Sequence, residues 1–432
     1  MSSTEPRRHP LRALRHRNFQ LFFAGQLVSL IGTWMQQVAQ SWLIYRLTHS
    51  ALLLGGIGFA GQIPIFLLGP IGGHVADRHN RRTILIATQT ASMLLAFVLA
   101  FLTLTNRVAE WHLFLLAALL GIVNAFDMPA RQAFLVEMVD RQDLMNAIAL
   151  NSSMFNGARI VGPAVAGLIV AAIGEGWCFF ANAVSYIAVI GGLLMMKLQH
   201  FAPAPAERSA LENIVQGFRF AAHTTPVRAL LVLIGVVSFT ALPYAVLMPV
   251  FADQIFHSGA RGLGILMGAA GAGALLGSLM LATRSTVKGL GRWVATACAA
   301  FGIALTAFSF SRNFLLSSIL LLCAGMAMMI QMASSNTLIQ SMVPDELRGR
   351  VMALYTMMFM GMGPFGALVA GSIAERVGAP LTVAAGGVLT VLAAIAFASR
   401  LPVLRGPARE LILAQQAAVG EPQEQTTSVV PR

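Results

Sequence analysis

Apolar residues run along this chain in stretches too long for the core of a water-soluble domain, and short polar turns interrupt them. About 20 mostly apolar residues let a helix cross a bilayer. Twelve stretches qualify, at 18–45, 50–76, 83–106, 111–139, 146–173, 176–197, 226–256, 260–283, 291–311, 313–343, 350–375 and 379–399. The period-two alternation of a barrel strand is missing, and a helix is the other structure that satisfies its own backbone in lipid. The pattern predicts an all-α integral membrane protein of twelve transmembrane helices, numbered below as spans 1 to 12.

A shift of 204 residues lays the chain on itself: Met138, Ala149, Met154, Phe155, Gly157, Gly162, Gly167 and Gly174 fall on Met342, Ala353, Met358, Phe359, Gly361, Gly366, Gly371 and Gly378. In span 2, Gly55, Gly58, Gly69 and Gly73 fall on Gly259, Gly262, Gly273 and Gly277. Six spans repeated in the same orientation imply two pseudo-symmetric halves about an axis along the membrane normal. The expected organisation is a basic tail over 1–17, a first half over 18–197, a linker over 198–225, a second half over 226–400 and a tail, expected to be disordered, over 401–432. The linker opens with Ala-Pro-Ala-Pro at 202–205. Leu211, Ile214, Val215, Phe218 and Ala222 then recur at helical spacing, which reads as an amphipathic surface helix.

Charge adds orientation. Only 11% of the 432 residues are charged, against about 25% in soluble domains. The net charge is +12. Arg7, Arg8, Arg12, Arg15, Arg17, Arg78, Arg81, Arg82, Arg141, Lys197, Arg208, Arg219, Arg284, Lys288, Arg348, Arg400, Arg405 and Arg409 fall on the tails and even-numbered connections. Odd-numbered connections carry only Arg46, Arg107, Arg261, Arg312 and Arg376. The positive-inside rule places both termini in the cytoplasm. Charge spread over one membrane face is not the concentrated patch of a nucleic-acid binder. Cys178, Cys298 and Cys323 lie in apolar spans and read as small core residues. No phosphate-cradling loop, metal spacing of histidines or nucleophile motif occurs, so no ATP hydrolysis, cofactor or enzyme chemistry is expected.

The turn Gly73-x-x-Ala-Asp77-Arg78-x-x-Arg81-Arg82 resembles the signature of the major facilitator superfamily between spans 2 and 3. Gly157-Ala-Arg159-Ile-Val-Gly162-Pro163-Ala-Val-Ala166-Gly167 is similar to the glycine-proline motif of that superfamily's drug antiporters. Asn18-Phe19, the stretch 41–48 and the stretch 344–350 resemble the branch that holds the enterobactin exporter and macrolide efflux proteins. The resemblance covers roughly 15–400. It implies proton-driven export of a small amphipathic molecule across the bacterial inner membrane, with spans 1, 4, 7 and 10 around the path. Two positions depart from the pattern: Ala117 stands where drug antiporters carry an arginine, and Ala166 replaces a glycine.

Within this frame, Gly73 is expected to let two helices approach. Asp77 would face the positive N-terminal end of span 11, near Arg350, and so close the inner mouth. Arg78, Arg81 and Arg82 would meet Glu137 and Asp140 or anionic lipid, with Arg82 favoured as a lipid anchor. Leu281 stands at the repeat position of Asp77, so the second half lacks the switch.

Charges inside the bilayer are costly and point to function. Span 4 carries Asn124, Asp127 and Arg131 on one helical face, and span 5 carries Arg159. At 1.5 Å per residue Asp127 lies about 24 Å along span 4, and Arg159 about 20 Å from the outer end of span 5. Asp127 reads either as a static partner of Arg131 or Arg159, or as the group that exchanges a proton or substrate charge. Gln26, Ser29, Thr33, Gln36 and Gln40 form a polar stripe on span 1, echoed by Gln331, Ser334, Ser335 and Ser341 on span 10. With Asn124 and Tyr244 these are candidate cavity walls. The 22 methionines, dense over 326–362, suit a bulky, partly apolar cargo with Phe239 and Tyr244. The alternatives are a proton-coupled importer on the same fold and a non-transporting sensor or assembly factor.

Overall fold

The computed structural model describes residues 11–140, 142–197, 210–284, 286–287 and 289–419. Arg7, Arg8, Arg141, Arg208, Lys288, the linker opening at 202–205 and the side chains of Leu211 and Ile214 lie outside the described residues. Twelve membrane-length helical segments are present: Arg17–Thr48, Ala51–Arg78, Arg81–Leu104, Glu110–Phe134, Leu144–Ile173, Glu175–Met195, Thr225–Ile255, Gly259–Ala282, Leu290–Phe310, Phe314–Met342, Asp345–Val377 and Ala379–Val419. Among the described residues, eleven are long and apolar enough to cross a membrane by length and composition. The twelfth is span 1, whose polar stripe dilutes its hydropathy although it packs against spans 5 and 6 like any other.

Local sequence explains where the helices stop. The ten-residue polar turn expected after Gly73 shrinks to His79 and Asn80, because Gly73 to Arg78 stay helical. Asn80 then caps span 3 by accepting from the Thr83 amide at 3.3 Å. Spans 5 and 11 both end at a glycine with a positive φ that other residues rarely adopt, Gly174 at 94° and Gly378 at 88°, in accord with the 204-residue repeat. Span 12 does not end near 399. It runs on to Val419 where a disordered tail was expected, because Leu401 and Leu404 are buried and Ala408, Leu411 and Ile412 pack on the core.

The repeat is not a single shift. The carbonyl of Gly61 abuts Gly121 in the first half, and that of Ala270 abuts Gly325 in the second. Gly325 lies 204 residues beyond Gly121, but Ala270 lies 209 beyond Gly61. The contact between halves agrees: Gly55 meets Gly371, and Gly264 meets Gly167. Spans 2 and 8 are therefore offset by five more residues than spans 4 and 10 or 5 and 11. Gly259, Gly262, Gly273 and Gly277 are not the counterparts of Gly55, Gly58, Gly69 and Gly73, and the counterpart of Asp77 is Thr286 rather than Leu281. The difference arises around span 9. Spans 3 and 9 start 209 residues apart, at Arg81 and Leu290, and spans 4 and 10 start 204 apart, at Glu110 and Phe314, so span 9 and the connection after it are together five residues shorter than span 3 and its connection. Span 7 is no longer than span 1, but Pro243 and Pro249 each lack the amide that would bond one turn back, the helix breaks after Thr240, and a wide turn follows at Phe251–Ile255.

The halves meet along spans 2 and 11 and along spans 5 and 8. Gly55, Gly167, Gly264 and Gly371 bring these backbones together near the face opposite the termini, and Phe59 meets Phe365 edge-on at 5.6 Å. Small residues at crossings allow this close packing in lipid. Toward the face that carries the termini and most arginines, the halves part.

Candidate functional site

The parting of the halves makes a cleft that opens at the basic face. Gly69 and Gly73 of span 2, Gly157 of span 5 and Gly349 of span 11 have no neighbour within reach of an added Cβ, and Met145, Phe155 and Met357 are exposed. At the other face the halves are joined. Glu375, near the end of span 11, accepts from the Ser50 hydroxyl and the Leu52 amide, both at 3.1 Å. It thus caps the first turn of span 2 from across the interface, where a carboxylate also meets the positive helix end.

At the mouth of the cleft the 73–82 cluster divides into two roles. Asp77 is 67% exposed and its described partner is Arg81, at 4.0 Å within the same turn. It does not touch span 11 in this state. Arg81 turns the other way and donates to Glu137 at 2.6 Å, tying span 3 to the end of span 4. Asp140 is exposed and pairs with no described residue, and Arg78 is exposed. Arg82 meets neither acid: it donates to the Leu194 carbonyl at the end of span 6 at 2.7 Å. The close approach expected of Gly73 belongs to Gly72, whose Cα faces the Ala125 carbonyl of span 4.

Asp143, unremarked in the sequence, anchors the chain's beginning. Arg12 reaches one of its oxygens at 3.0 Å and the His16 ring lies 2.9 Å from the other. The linker helix, Ala210–His223, packs on the first turns of span 11, where Arg350 donates to Gln216. Val215 and Phe218 on it are exposed, as an interfacial helix requires.

Inside the first half, Asp127 is 1% exposed and accepts three hydrogen bonds. Thr88 and Gln89 of span 3 donate at 2.8 Å each, and Arg131 completes an ion pair one turn along span 4. Thr88 and Gln89 escaped the sequence reading because nothing in an apolar span marks which face meets a carboxylate. Of the two partners open for Asp127, Arg131 is the one present. Arg159 instead stacks over the Trp34 ring at 5.8 Å. The 204-residue offset of span 4 onto span 10 places Gln331 at the position of Asp127 and Ser335 at that of Arg131. Ser335 donates to the Gln331 carbonyl at 2.7 Å, and neither amide atom of the buried Gln331 has a partner. One half holds a charged pair where the other holds a neutral one.

The candidate cavity walls divide. Thr33 is exposed, Asn124 and Gln40 are half-buried, and Gln26, Gln331, Ser335 and Tyr244 are buried in the halves. Gln36 accepts from Asn182 of span 6 at 2.7 Å, and Tyr244 packs edge-on to Phe301 at 6.2 Å. Gln36 and Tyr244 thus serve packing within their halves rather than the open cleft. Gly157 fronts the cleft, Gly162 gives room to Trp34, and Pro163 and Gly167 lie against span 8. Of the cysteines, Cys178 and Cys298 are buried and Cys323 is exposed.

Residues 8–422 match the family model described as transmembrane secretion effector. The chain is 28% identical over 382 residues to the staphyloferrin A transporter of Staphylococcus aureus, covering 87% of this chain and 94% of that protein. It is 29% identical over 371 residues to the multidrug efflux pump Tap of Mycolicibacterium fortuitum, covering 83% and 89%. Among solved structures, the nucleoside transporter NupG superposes with a TM-score of 0.71 at 15% identity, over 89% of this chain and 98% of that one. That likeness shows the fold. The match over nearly the whole length, on twelve helices in two repeated halves, places the chain in the transmembrane secretion effector family of major facilitator transporters.

Proposed function

We propose that this transporter exports a small amphipathic molecule from the bacterial cytoplasm by proton antiport, and that it works by alternating access. The observation that carries the reading is the asymmetry of the cleft: open at the basic face, joined by Glu375 and the span 2 N-terminus at the other. The positive-inside rule makes the basic face cytoplasmic in the inner membrane, so the cleft takes cargo from inside. The glycine-proline motif and a drug-efflux relative favour export over import. Rocking of the halves would break the Glu375 contact and bring Asp77 to the first turn of span 11, which has no side-chain N-cap of its own. Asp127 is the coupling carboxylate in this reading, since span 10 offers no acid at the matching position.

Expression in an efflux-deficient bacterium tests the function. Accumulation of some amphipathic compounds or siderophores should fall, and a protonophore should abolish the fall. A rise on expression would indicate import, and no change for any compound would sink the exporter reading. Asp77→Asn should slow export several-fold with normal membrane abundance, because a carboxylate at a helix N-terminus is worth about 0.3–2 kcal/mol. Wild-type rates would remove Asp77 from the gate.

A further inference from the structure

We propose that Arg159 receives an anionic group of the cargo and that Trp34 and Phe155 hold its apolar part, so the transported molecules are amphipathic anions. The proposal rests on the transporter reading and adds the substrate class. Arg159 sits about 20 Å from the outer end of span 5, near mid-membrane, where a cation carries a penalty unless something compensates it. Among the described residues no carboxylate lies within ion-pair distance, and its guanidinium donates no hydrogen bond. Asp127, the acid buried within the first half, is already paired with Arg131. The apex of the cleft therefore has one uncancelled positive charge.

Its surroundings are built for an amphiphile. The guanidinium stacks on Trp34 at 5.8 Å, which uses the ring face and leaves the in-plane donors free. Such a planar fork matches a carboxylate, sulfonate or phosphate in bidentate fashion. Trp34 meets Phe155 edge-on at 5.8 Å, and Phe155, one turn closer to the cleft mouth on the same side of span 5, is exposed. Gly162 fixes the tryptophan, because any Cβ there would collide with the Trp34 side chain. Arg159 is also set between the halves. Its carbonyl abuts Gly271 of span 8, and it is within electrostatic reach of Tyr244 in span 7. A ligand on Arg159 would thus contact the junction that must rearrange when the halves rock.

Binding can be measured without transport. The purified full-length protein in detergent is titrated with 2-naphthoate and with its shape-matched trimethylammonium counterpart, and tryptophan quenching is followed. The wild type should bind the naphthoate in preference to the cation, and Trp34→Phe should remove most of the signal. Arg159→Gln should weaken naphthoate binding about tenfold or more. Arg159→Lys, which keeps the charge but loses the planar fork and the stacking, should recover only part of it and shows that the site tolerates substitution. Unchanged affinity in a folded Arg159→Gln, preference for the cation, or equal response to both probes or to neither overturns the proposal. Because no gradient is present, failure of proton antiport would leave this binding intact. Export of cationic compounds undiminished by Arg159→Gln would keep the exporter reading and discard this one.

Discussion

Asp127→Ala is expected to cost about 3–5 kcal/mol of stability, the usual penalty for removing one partner of a buried ion pair, and to abolish proton-coupled export. The carboxylate is fully enclosed and satisfies Thr88, Gln89 and Arg131 at once. Its loss strands Arg131 inside the membrane-spanning part of the first half. Asp127→Asn keeps the shape and some of the hydrogen bonds, so it should fold better than the alanine variant yet still fail to couple. The other half supplies a sharper test. Gln331 and Ser335 occupy the matching positions in span 10, so the fold accepts a neutral pair there. Asp127→Gln combined with Arg131→Ser removes both charges together and should recover most of the thermal stability in detergent that Asp127→Ala loses. It should not recover substrate-driven proton release in inverted membrane vesicles. A double variant that moves protons at the wild-type rate would show that the pair is structural alone.

That comparison depends on knowing which residues of the two halves correspond, and here sequence and structure part ways in an instructive manner. Twelve spans were legible because each must satisfy its backbone within a fixed apolar thickness. The repeat was legible in spans 4, 5, 10 and 11, where no residue is gained or lost. Matching glycines by a constant shift misled in span 2, since glycine is frequent and span 9 with the connection after it is five residues shorter than its counterpart in the first half. For Arg81 the sequence narrows the partner to Glu137, Asp140 or lipid, because both acids and arginines crowd one short surface, and the hydrogen bond in the structure chooses Glu137. Arg159 stood beside Arg131 as a possible partner of Asp127 on depth alone. Depth along a helix is one coordinate, and the rotation that turns Arg159 toward Trp34 is the other. The same limit hid the Asn182 partner of Gln36. It also hid the capping role of Glu375, which lies 325 residues from Ser50 in the chain.

Glu375→Gln is expected to shift the protein away from the state seen here, toward one open at the opposite face. A hydrogen bond to a charged group contributes about 1.5–3 kcal/mol, and 1.4 kcal/mol is a tenfold change in population. Weakening the two bonds from Ser50 and Leu52 should therefore change the balance of states by about tenfold or more. Spin labels at Met145→Cys and Thr283→Cys, both exposed near the basic ends of spans 5 and 8, would report it in a background with the exposed Cys323 replaced by serine. The longer distance of the open cleft should lose population to a shorter one in Glu375→Gln. An unchanged distribution would mean that the glycine contacts hold that face unaided. Asp77→Asn should act in the opposite sense, because Asp77 is solvated now and would gain the end of span 11 only after the halves rock. The two acids sit at opposite ends of the long helices, too far apart to couple directly, so their effects should add. The double variant would then return toward the wild-type balance while transporting slowly, since both end states have lost a stabilising contact. A double variant that stays with either single variant would show that only one of the two acids controls the equilibrium.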